Sequence, residues 1–308
     1  MPSWNDAIAD AITAAFAEQE EMCLLVTAGV EHRSPADALE ASHGDAAVRR
    51  ANVTAGSLVG IGAGAARAGT RVVVEMPTDS SIAQTVGHLS DHVTTAQYYS
   101  AGRVTMPLLI RGVVGHEGAA ADELSLASLP GLTVVIPSSP RVAAGLARTA
   151  LQASGPVLLL EPSQLLSSQS DPTPHDEELC PLGKAALLLE GGDVTLVALG
   201  ANVDAALAAA TLVQAEGIGV DLIDIRTLAP LDMATVMQSV RKTGRVFIAD
   251  MSGSVGGWGA ELAARLADVA FDCLDAPILR RSGSVSLEHP GIDPQRLAEA
   301  LREIVLDQ

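Results

Sequence analysis

The amino-acid sequence predicts an α/β protein with two parallel-sheet domains in tandem. Short β-branched segments alternate with helical segments along most of the 308 residues. This rhythm is typical of parallel sheets that are covered by helices on both faces. A polar stretch rich in Ser, Gln, Asp and Pro separates two such units. We therefore expect a first domain at 1–165, a linker at 166–181 and a second domain at 182–308.

The spacing of apolar residues predicts the individual elements. In the first unit it predicts helices at 5–18, 53–69, 80–98 and 141–153, and strands at 22–27, 71–76, 106–110, 132–136 and 157–160. Between them, 32–50 is polar and irregular, and 111–118 is a glycine-punctuated loop. In the second unit it predicts strands at 194–198, 220–224 and 246–249, and helices at 202–216, 233–241, 258–270 and 293–306.

Composition limits the function classes. Aromatic residues make up 2% of the chain and apolar residues 48%, so the core must consist of Ala, Val, Leu and Ile. A net charge of -18 disfavours nucleic acid and anionic membranes through long-range repulsion. The three cysteines form neither a metal pattern nor a disulfide framework. With no secretory signal and no membrane-spanning segment in the sequence, we expect a cytoplasmic protein.

The stretch 53–69 is a helix of small residues that leads into a β-branched strand. Gly60, Gly62 and Gly64 each weaken such a helix by roughly 1 kcal/mol relative to alanine. A helix with this composition needs another backbone or a ligand packed against it. Close helix packing alone would explain the glycines equally well. The pattern differs from the dinucleotide fingerprint because its glycines lie inside the helix.

This stretch resembles the cofactor helix of thiamine-diphosphate (ThDP) enzymes in the transketolase and 2-oxo acid dehydrogenase group. In particular it resembles the beta subunit of the decarboxylase component of 2-oxo acid dehydrogenases, or the C-terminal half of a split transketolase. In the second half, segments 182–185, 224–232, 239–245 and 274–277 stand in the family's order and spacing. The resemblance implies a pyrimidine-binding domain followed by a transketolase C-terminal domain, and it covers nearly the whole chain.

The resemblance also implies where the cofactor would bind. The family glutamate that bonds to the aminopyrimidine ring of ThDP falls on Ala55, with Thr54 and Ser57 as the nearest possible donors. The family's aromatic residues around that ring fall on non-aromatic positions. The expected cofactor-binding residues are Ala55, Ser57, Glu75, Met76, Asp79 and Ser81. Glu75 has an alternative interpretation as a strand-end carboxylate held by a hydrogen bond.

His116 and Glu117 are the candidate catalytic residues, because they lie in the loop that faces substrate in the family. A histidine there could act as a general acid or base near neutral pH. The alternative is a solvated polar loop. His88 and His92, four residues apart, would share a helix face as a metal pair or as structural histidines. Since they have no third ligand nearby in the sequence, we predict no metal site in this chain.

The Gly-Asp-Gly and Asn motif that binds diphosphate and magnesium is absent from this chain. In two-chain relatives it lies on the alpha subunit. The resemblance therefore implies an alpha-type partner that carries this motif and holds most of the Mg²⁺ contacts. A chain that has abandoned the cofactor would lack the motif too. Small-residue faces at 54–68 and 256–270 predict a homodimer or an alpha2-beta2 heterotetramer.

Two functional hypotheses follow from the resemblance. In the first, the chain is the beta-type subunit of a two-chain ThDP-dependent enzyme, transketolase-like or 2-oxo acid decarboxylase-like. That enzyme would transfer a two-carbon or acyl unit, with its site at the interface with the alpha-type chain. In the second, the chain is a non-catalytic scaffold or regulatory subunit that keeps the fold but lacks the usual glutamate. The substrate cannot be read from the sequence.

Overall fold

The computed structural model describes residues 3–19, 21–27, 34–77, 82–115, 123–166, 179–250, 256–282 and 293–306. Its strands are β1 (Met22–Val26), β2 (Val48–Arg50), β3 (Arg71–Glu75), β4 (Leu108–Val114), β5 (Thr133–Val135), β6 (Val157–Pro162), β7 (Ala186–Leu189), β8 (Val194–Ala198), β9 (Val220–Asp224), β10 (Thr227–Ala229), β11 (Val246–Asp250) and β12 (Leu279–Ser282). One sheet has the order β10-β5-β6-β4-β3-β1-β2, and the other has the order β12-β11-β8-β9-β7.

Helices cover both sheets, as the alternation of segments predicts. They are α1 (Trp4–Glu18), α2 (Ala36–His43), α3 (Ala55–Arg67), α4 (Val86–His88), α5 (Thr95–Tyr99), α6 (Glu123–Ala127), α7 (Pro140–Gln152), α8 (Asn202–Gln214), α9 (Met233–Thr243), α10 (Trp258–Val269) and α11 (Pro294–Leu306). None of the helices in the described ranges is both long enough and apolar enough to cross a membrane.

Two sheet edges differ from the all-parallel prediction. Strands β7 and β10 run antiparallel to β9 and β5, respectively. The short strands β2 and β12 also join their sheets, although the sequence did not indicate them. Edge strands of three or four residues carry too little apolar alternation to be recognised locally. The α/β class is confirmed, while the boundaries at 165 and 182 remain a prediction.

The predicted helix at 80–98 is in fact a composite. Within the described residues it begins with a 3₁₀ turn at Ile82–Thr85, continues through α4, widens to a π-helix at Leu89–Thr94 and ends with α5. The predicted loop from 111 is also wrong in its first half, because β4 continues to Val114. All seven residues of β4 are buried, so Arg111 lies inside the sheet.

The glycine-rich helix α3 packs directly on the first sheet. A Cβ atom at Gly62 would lie 2.5 Å from Val74 Cγ2, so only glycine fits at this contact. Val74 belongs to a core cluster with Leu58, Val59 and Ala63 of α3. Alternate strand residues face opposite sides of a sheet. The α3 face therefore carries Val74, and the opposite face, covered by α1 and α7, carries Val73 and Leu109.

Candidate functional site

The start of α3 is capped by its own chain. Thr54 Oγ1 accepts a hydrogen bond from the backbone N–H of Ser57 at 3.3 Å, and the hydroxyls of Thr54 and Ser57 lie 3.0 Å apart. Ala55 is the first residue of the helix and is 7% exposed. This position therefore presents a methyl group, and the nearest hydroxyls already bond to each other.

Two imidazoles lie against the glycines of α3. Ring atoms of His88 would come within 2.3 and 2.5 Å of a Cβ atom at Gly56, and His92 Cδ2 would lie 3.8 Å from one at Gly60. The ring centroids of His88 and His92 are 5.7 Å apart, with an interplanar angle of 45°. The prediction that the two histidines share one face is confirmed.

Met76 lies in the core below this region. It is 1% exposed, and a Cβ atom at Gly112 would lie 3.4 Å from its Cε and 3.0 Å from Ile82 Cδ1. Gly112 thus provides the space into which Met76 and Ile82 pack. The role of Met76 in cofactor binding remains a prediction, and in this chain its side chain packs into the core.

Glu75 points to the opposite face of the sheet from α3, because it follows Val74 in β3. Its Oε1 accepts a hydrogen bond from Arg111 Nη1 within a buried ion pair. Arg111 Nε and Nη2 donate to the two oxygens of Glu161 at 3.1 and 3.3 Å, and Trp4 Nε1 donates to Glu161 Oε2 at 2.8 Å. This supports the interpretation of Glu75 as a strand-end carboxylate held by a hydrogen bond.

The buried cluster of Glu75, Arg111 and Glu161 carries two carboxylates for one guanidinium. Each of the three residues is at most 1% exposed. Burial alone would lower the pKa of Arg111, but the charges of Glu161 and Glu75 outweigh it and raise that pKa. Glu75 Oε2 is buried without a hydrogen-bond partner among the described residues. The sequence analysis noted Glu75 but missed its partner Arg111, as well as Glu161 and Trp4. The charged Glu161 near the end of the apolar run 157–162 was a usable signal.

The other sheet's strand ends carry carboxylates as well. Asp224, at the end of β9, accepts from Ser138 Oγ at 2.6 Å and from Arg226 Nε at 3.3 Å. Burial raises the pKa of Asp224, while Arg226 and Ser138 act in the opposite direction. Asp250, at the end of β11, accepts from the backbone N–H of Gly259 at 2.9 Å. Trp258, the neighbour of Gly259, is 4% exposed and packs into the core.

The remaining predicted site residues, Asp79, Ser81, His116 and Glu117, lie outside the described residues. Their roles remain predictions. The described range that precedes His116 ends at Gly115. The backbone carbonyl of Gly115 accepts a hydrogen bond from Ser163 Oγ at 2.7 Å. This contact holds the end of β4 against the end of β6.

Family comparisons agree with this architecture. A model of the transketolase pyrimidine-binding domain matches residues 1–169, and a model of the transketolase C-terminal domain matches residues 183–299. The chain belongs to the transketolase family. Its relatives include a pyruvate dehydrogenase E1 component subunit beta from Rhizobium meliloti, 36% identical over 238 residues. The match covers 75% of this chain and 52% of that relative, so the chain spans about half of the relative's length.

A second relative, the E1 subunit beta of Rickettsia bellii, is 36% identical over 237 residues, covering 75% of this chain and 73% of that protein. Among solved structures, an inactive beta4 tetramer of a split-gene transketolase has a TM-score of 0.80 at 21% identity and covers 99% of this chain and 98% of its own. A 2-oxoglutarate:ferredoxin oxidoreductase from Magnetococcus marinus has a TM-score of 0.68 at 10% identity, covering 99% and 65%. At these identities the structural matches support the fold alone.

The family is ThDP-dependent, and the described residues fit the cofactor incompletely. The family resemblance predicts that the start of α3 faces the pyrimidine ring, and at this position the chain has the methyl group of Ala55. Glu75 does not supply a carboxylate there, because it faces the other side of the sheet and bonds to Arg111. At the predicted pyrimidine position, neither Ala55 nor Glu75 offers a carboxylate to the ring.

Proposed function

We propose that the chain is the beta-type subunit of a two-chain, ThDP-dependent enzyme of the transketolase or 2-oxo acid dehydrogenase kind. The proposal rests on the family comparisons. Both transketolase domain models match this chain, and E1 beta subunits are among its relatives at 36% identity. ThDP would bind between this chain and an alpha-type chain that carries the Gly-Asp-Gly motif and most Mg²⁺ contacts. When bound, ThDP supplies the carbanion chemistry that transfers a two-carbon or acyl unit.

An unpartnered face of α3 supports the assembly part of the proposal. Ile61 is 47% exposed, and Ser57 and Gly64 are exposed beside it at helical spacing. Among the described residues outside the neighbouring backbone of α3, no atom would lie within 4 Å of a Cβ atom at Gly64, so their packing does not require glycine there. Tyr98 and Tyr99, at the end of α5, are 68% and 81% exposed.

These observations favour a homodimer or an alpha2-beta2 heterotetramer that buries the exposed face of α3. Close contact between two helices is the reason to keep small residues on an exposed helix face. The alternative, a non-catalytic scaffold or regulatory subunit, is favoured by one observation, the methyl group of Ala55 at the pyrimidine position. Both hypotheses require the assembly, and they differ in whether the assembled complex binds ThDP and reacts.

Gly64→Leu tests the assembly. The isolated chain should keep its fold and gain about 0.5–1 kcal/mol of helix stability, since leucine is a better helix former than glycine. In the complex, however, the new side chain would occupy the contact, and light scattering should show smaller particles. Ala208→Leu, at an exposed site on α8, is the matched control and should assemble normally. Unimpaired assembly of Gly64→Leu would contradict the proposed contact.

Cofactor binding tests the enzymatic part. The chain and its alpha-type partner should be co-purified and titrated with ThDP and Mg²⁺ by calorimetry. Saturable binding by the pair, but not by this chain alone, is the expected result. If the assembled pair does not bind ThDP, the scaffold hypothesis replaces the enzyme hypothesis. If the complex of the two chains turns over substrate, the double variant His116→Ala, Glu117→Ala should be compared with it. Native activity of the double variant would show that these two residues are not catalytic.

A further inference from the structure

The pair formed by His88 and His92 is not used by the function proposed above. Both residues are exposed, and their rings lie 5.7 Å apart between centroids. Neither imidazole makes a hydrogen bond to any of the described residues, and three carboxylate, thiol or imidazole groups do not converge there. This pair therefore presents free ligand atoms at the protein surface.

The orientation of both rings is set by α3. The Cδ2 and Nε2 atoms of His88 lie closest to Gly56, and Cδ2 is the atom of His92 closest to Gly60. The His88 ring therefore turns its Cδ2–Nε2 edge towards Gly56 and leaves its Nδ1 on the far edge, whereas Cδ2 is the one atom of His92 within 4 Å of the Gly60 position. A side chain larger than hydrogen at Gly56 would collide with the His88 ring. Gly56 thus provides the space for the His88 ring, which lies side by side with the exposed His92 ring and has Nδ1 on the edge away from α3.

The ring separation is close to that of two imidazoles sharing one metal ion. A zinc–nitrogen distance of about 2.1 Å and a tetrahedral angle place two ring centroids about 5 Å apart. The observed 5.7 Å requires only a small approach of the rings. The turn that links them is the π-helix Leu89–Thr94, and wide turns of this type are frequent at functional sites.

We propose that His88 and His92 together bind one divalent transition-metal ion of the Zn²⁺, Ni²⁺ and Cu²⁺ group. Imidazole is a preferred ligand of these ions. With two protein ligands among the described residues, water fills the remaining positions and the site stays open. The net charge of -18 attracts cations, whereas the positive end of α3 near Gly56 opposes them, so we expect modest affinity. The proposal does not depend on ThDP or on an alpha-type partner.

Calorimetric titration of the full-length chain with ZnCl₂ or NiCl₂ tests the site. We expect one ion per chain at this pair, bound more weakly in His88→Gln and in His92→Gln. Loss of a group that supports a ligand lowers metal affinity by about 10–100-fold, so loss of the ligand itself should cost at least about tenfold. His43→Gln is the control, because His43 lies elsewhere, with its ring 5.9 Å from that of Phe16. Thermal unfolding without metal checks that the variants fold.

A Cu²⁺ spectrum supplies a readout that a purely structural role would not change. Electron paramagnetic resonance should show two coordinated nitrogens in the native chain and one in each single variant. Equal metal affinity in the native chain and the double variant would overturn the proposal and assign binding to other residues. Absence of binding by the native chain would overturn it as well.

Discussion

The strand ends of the two sheets differ in how their carboxylates are satisfied. In the second sheet, Asp224 and Asp250 each accept hydrogen bonds from donors of the same chain, including a serine, an arginine and a backbone N–H. In the first sheet, Glu75 shares Arg111 with Glu161 and keeps one buried oxygen without a donor. The printed strand-end carboxylates of the second sheet are therefore paired with donors of the chain, whereas in the first sheet a buried oxygen of Glu75 has no donor among the described residues. Glu75 lies on the face of the sheet opposite α3.

Among the substitutions that test this difference between the two sheets, Arg111→Met should change the unfolding free energy most. It would leave Glu75 and Glu161 buried without their counter-charge, and removing one partner of a buried ion pair costs about 3–5 kcal/mol. We expect a loss of that size in the unfolding free energy, measured by urea denaturation. Adding Glu75→Gln and Glu161→Gln should restore much of it, because the neutral amides remove the repulsion. A triple variant as unstable as Arg111→Met would show that packing, and not charge, dominates.

Ala55→Glu tests the predicted pyrimidine position by placing a carboxyl group at the start of α3. A desolvated polar atom without a partner costs about 1–3 kcal/mol, and a glutamate at this position would remove that cost for the pyrimidine nitrogen. We therefore expect ThDP to bind the assembled complex about tenfold more tightly by calorimetry. Ala55→Leu, of similar bulk but without a donor, is the control. If both variants bind ThDP equally, the ring does not lie against residue 55.

The smallest expected effect concerns Asp224 in the second sheet. Because burial raises its folded-state pKa, the folded chain holds a proton on this group more strongly than the unfolded chain. Its contribution to stability is thus largest below the unfolded pKa of about 3.9 and is lost as pH rises through the folded pKa. Relative to Asp224→Asn, the native chain should gain stability as pH falls through that window. Denaturation of both proteins at several pH values measures this difference, and a pH-independent difference would contradict it.

The glycine helix and the two histidines illustrate what local sequence can predict. The spacing 53–69 located α3, and the interval of four residues placed His88 and His92 on one face, because both features depend on a single helix. The partners of Glu75 could not be predicted in the same way. Arg111 and Glu161 lie on other strands, and their meeting depends on the register between β3, β4 and β6, which no local pattern encodes.

The same limit applies to β10. Its three residues show no apolar alternation, and their partners in β5 lie about ninety positions earlier in the chain. The sequence predicted the helix at 82–99 but not the π-helix within it, because a π-helix has no recognisable pattern of its own in the sequence. The position of the His88 ring likewise depends on Gly56, a residue of another helix.

Strand β10 has a consequence for attempts to study the first half separately. It comes from the second half of the chain, yet it lies at the edge of the first sheet, where Ile136 N–H also bonds to the carbonyl of Arg226 at 2.8 Å. A fragment ending near 166 would leave the outer side of β5 as a bare row of backbone donors and acceptors. Such edges pair readily with other copies. The truncated fragment should therefore aggregate, and soluble expression should require the chain to extend beyond Ala229.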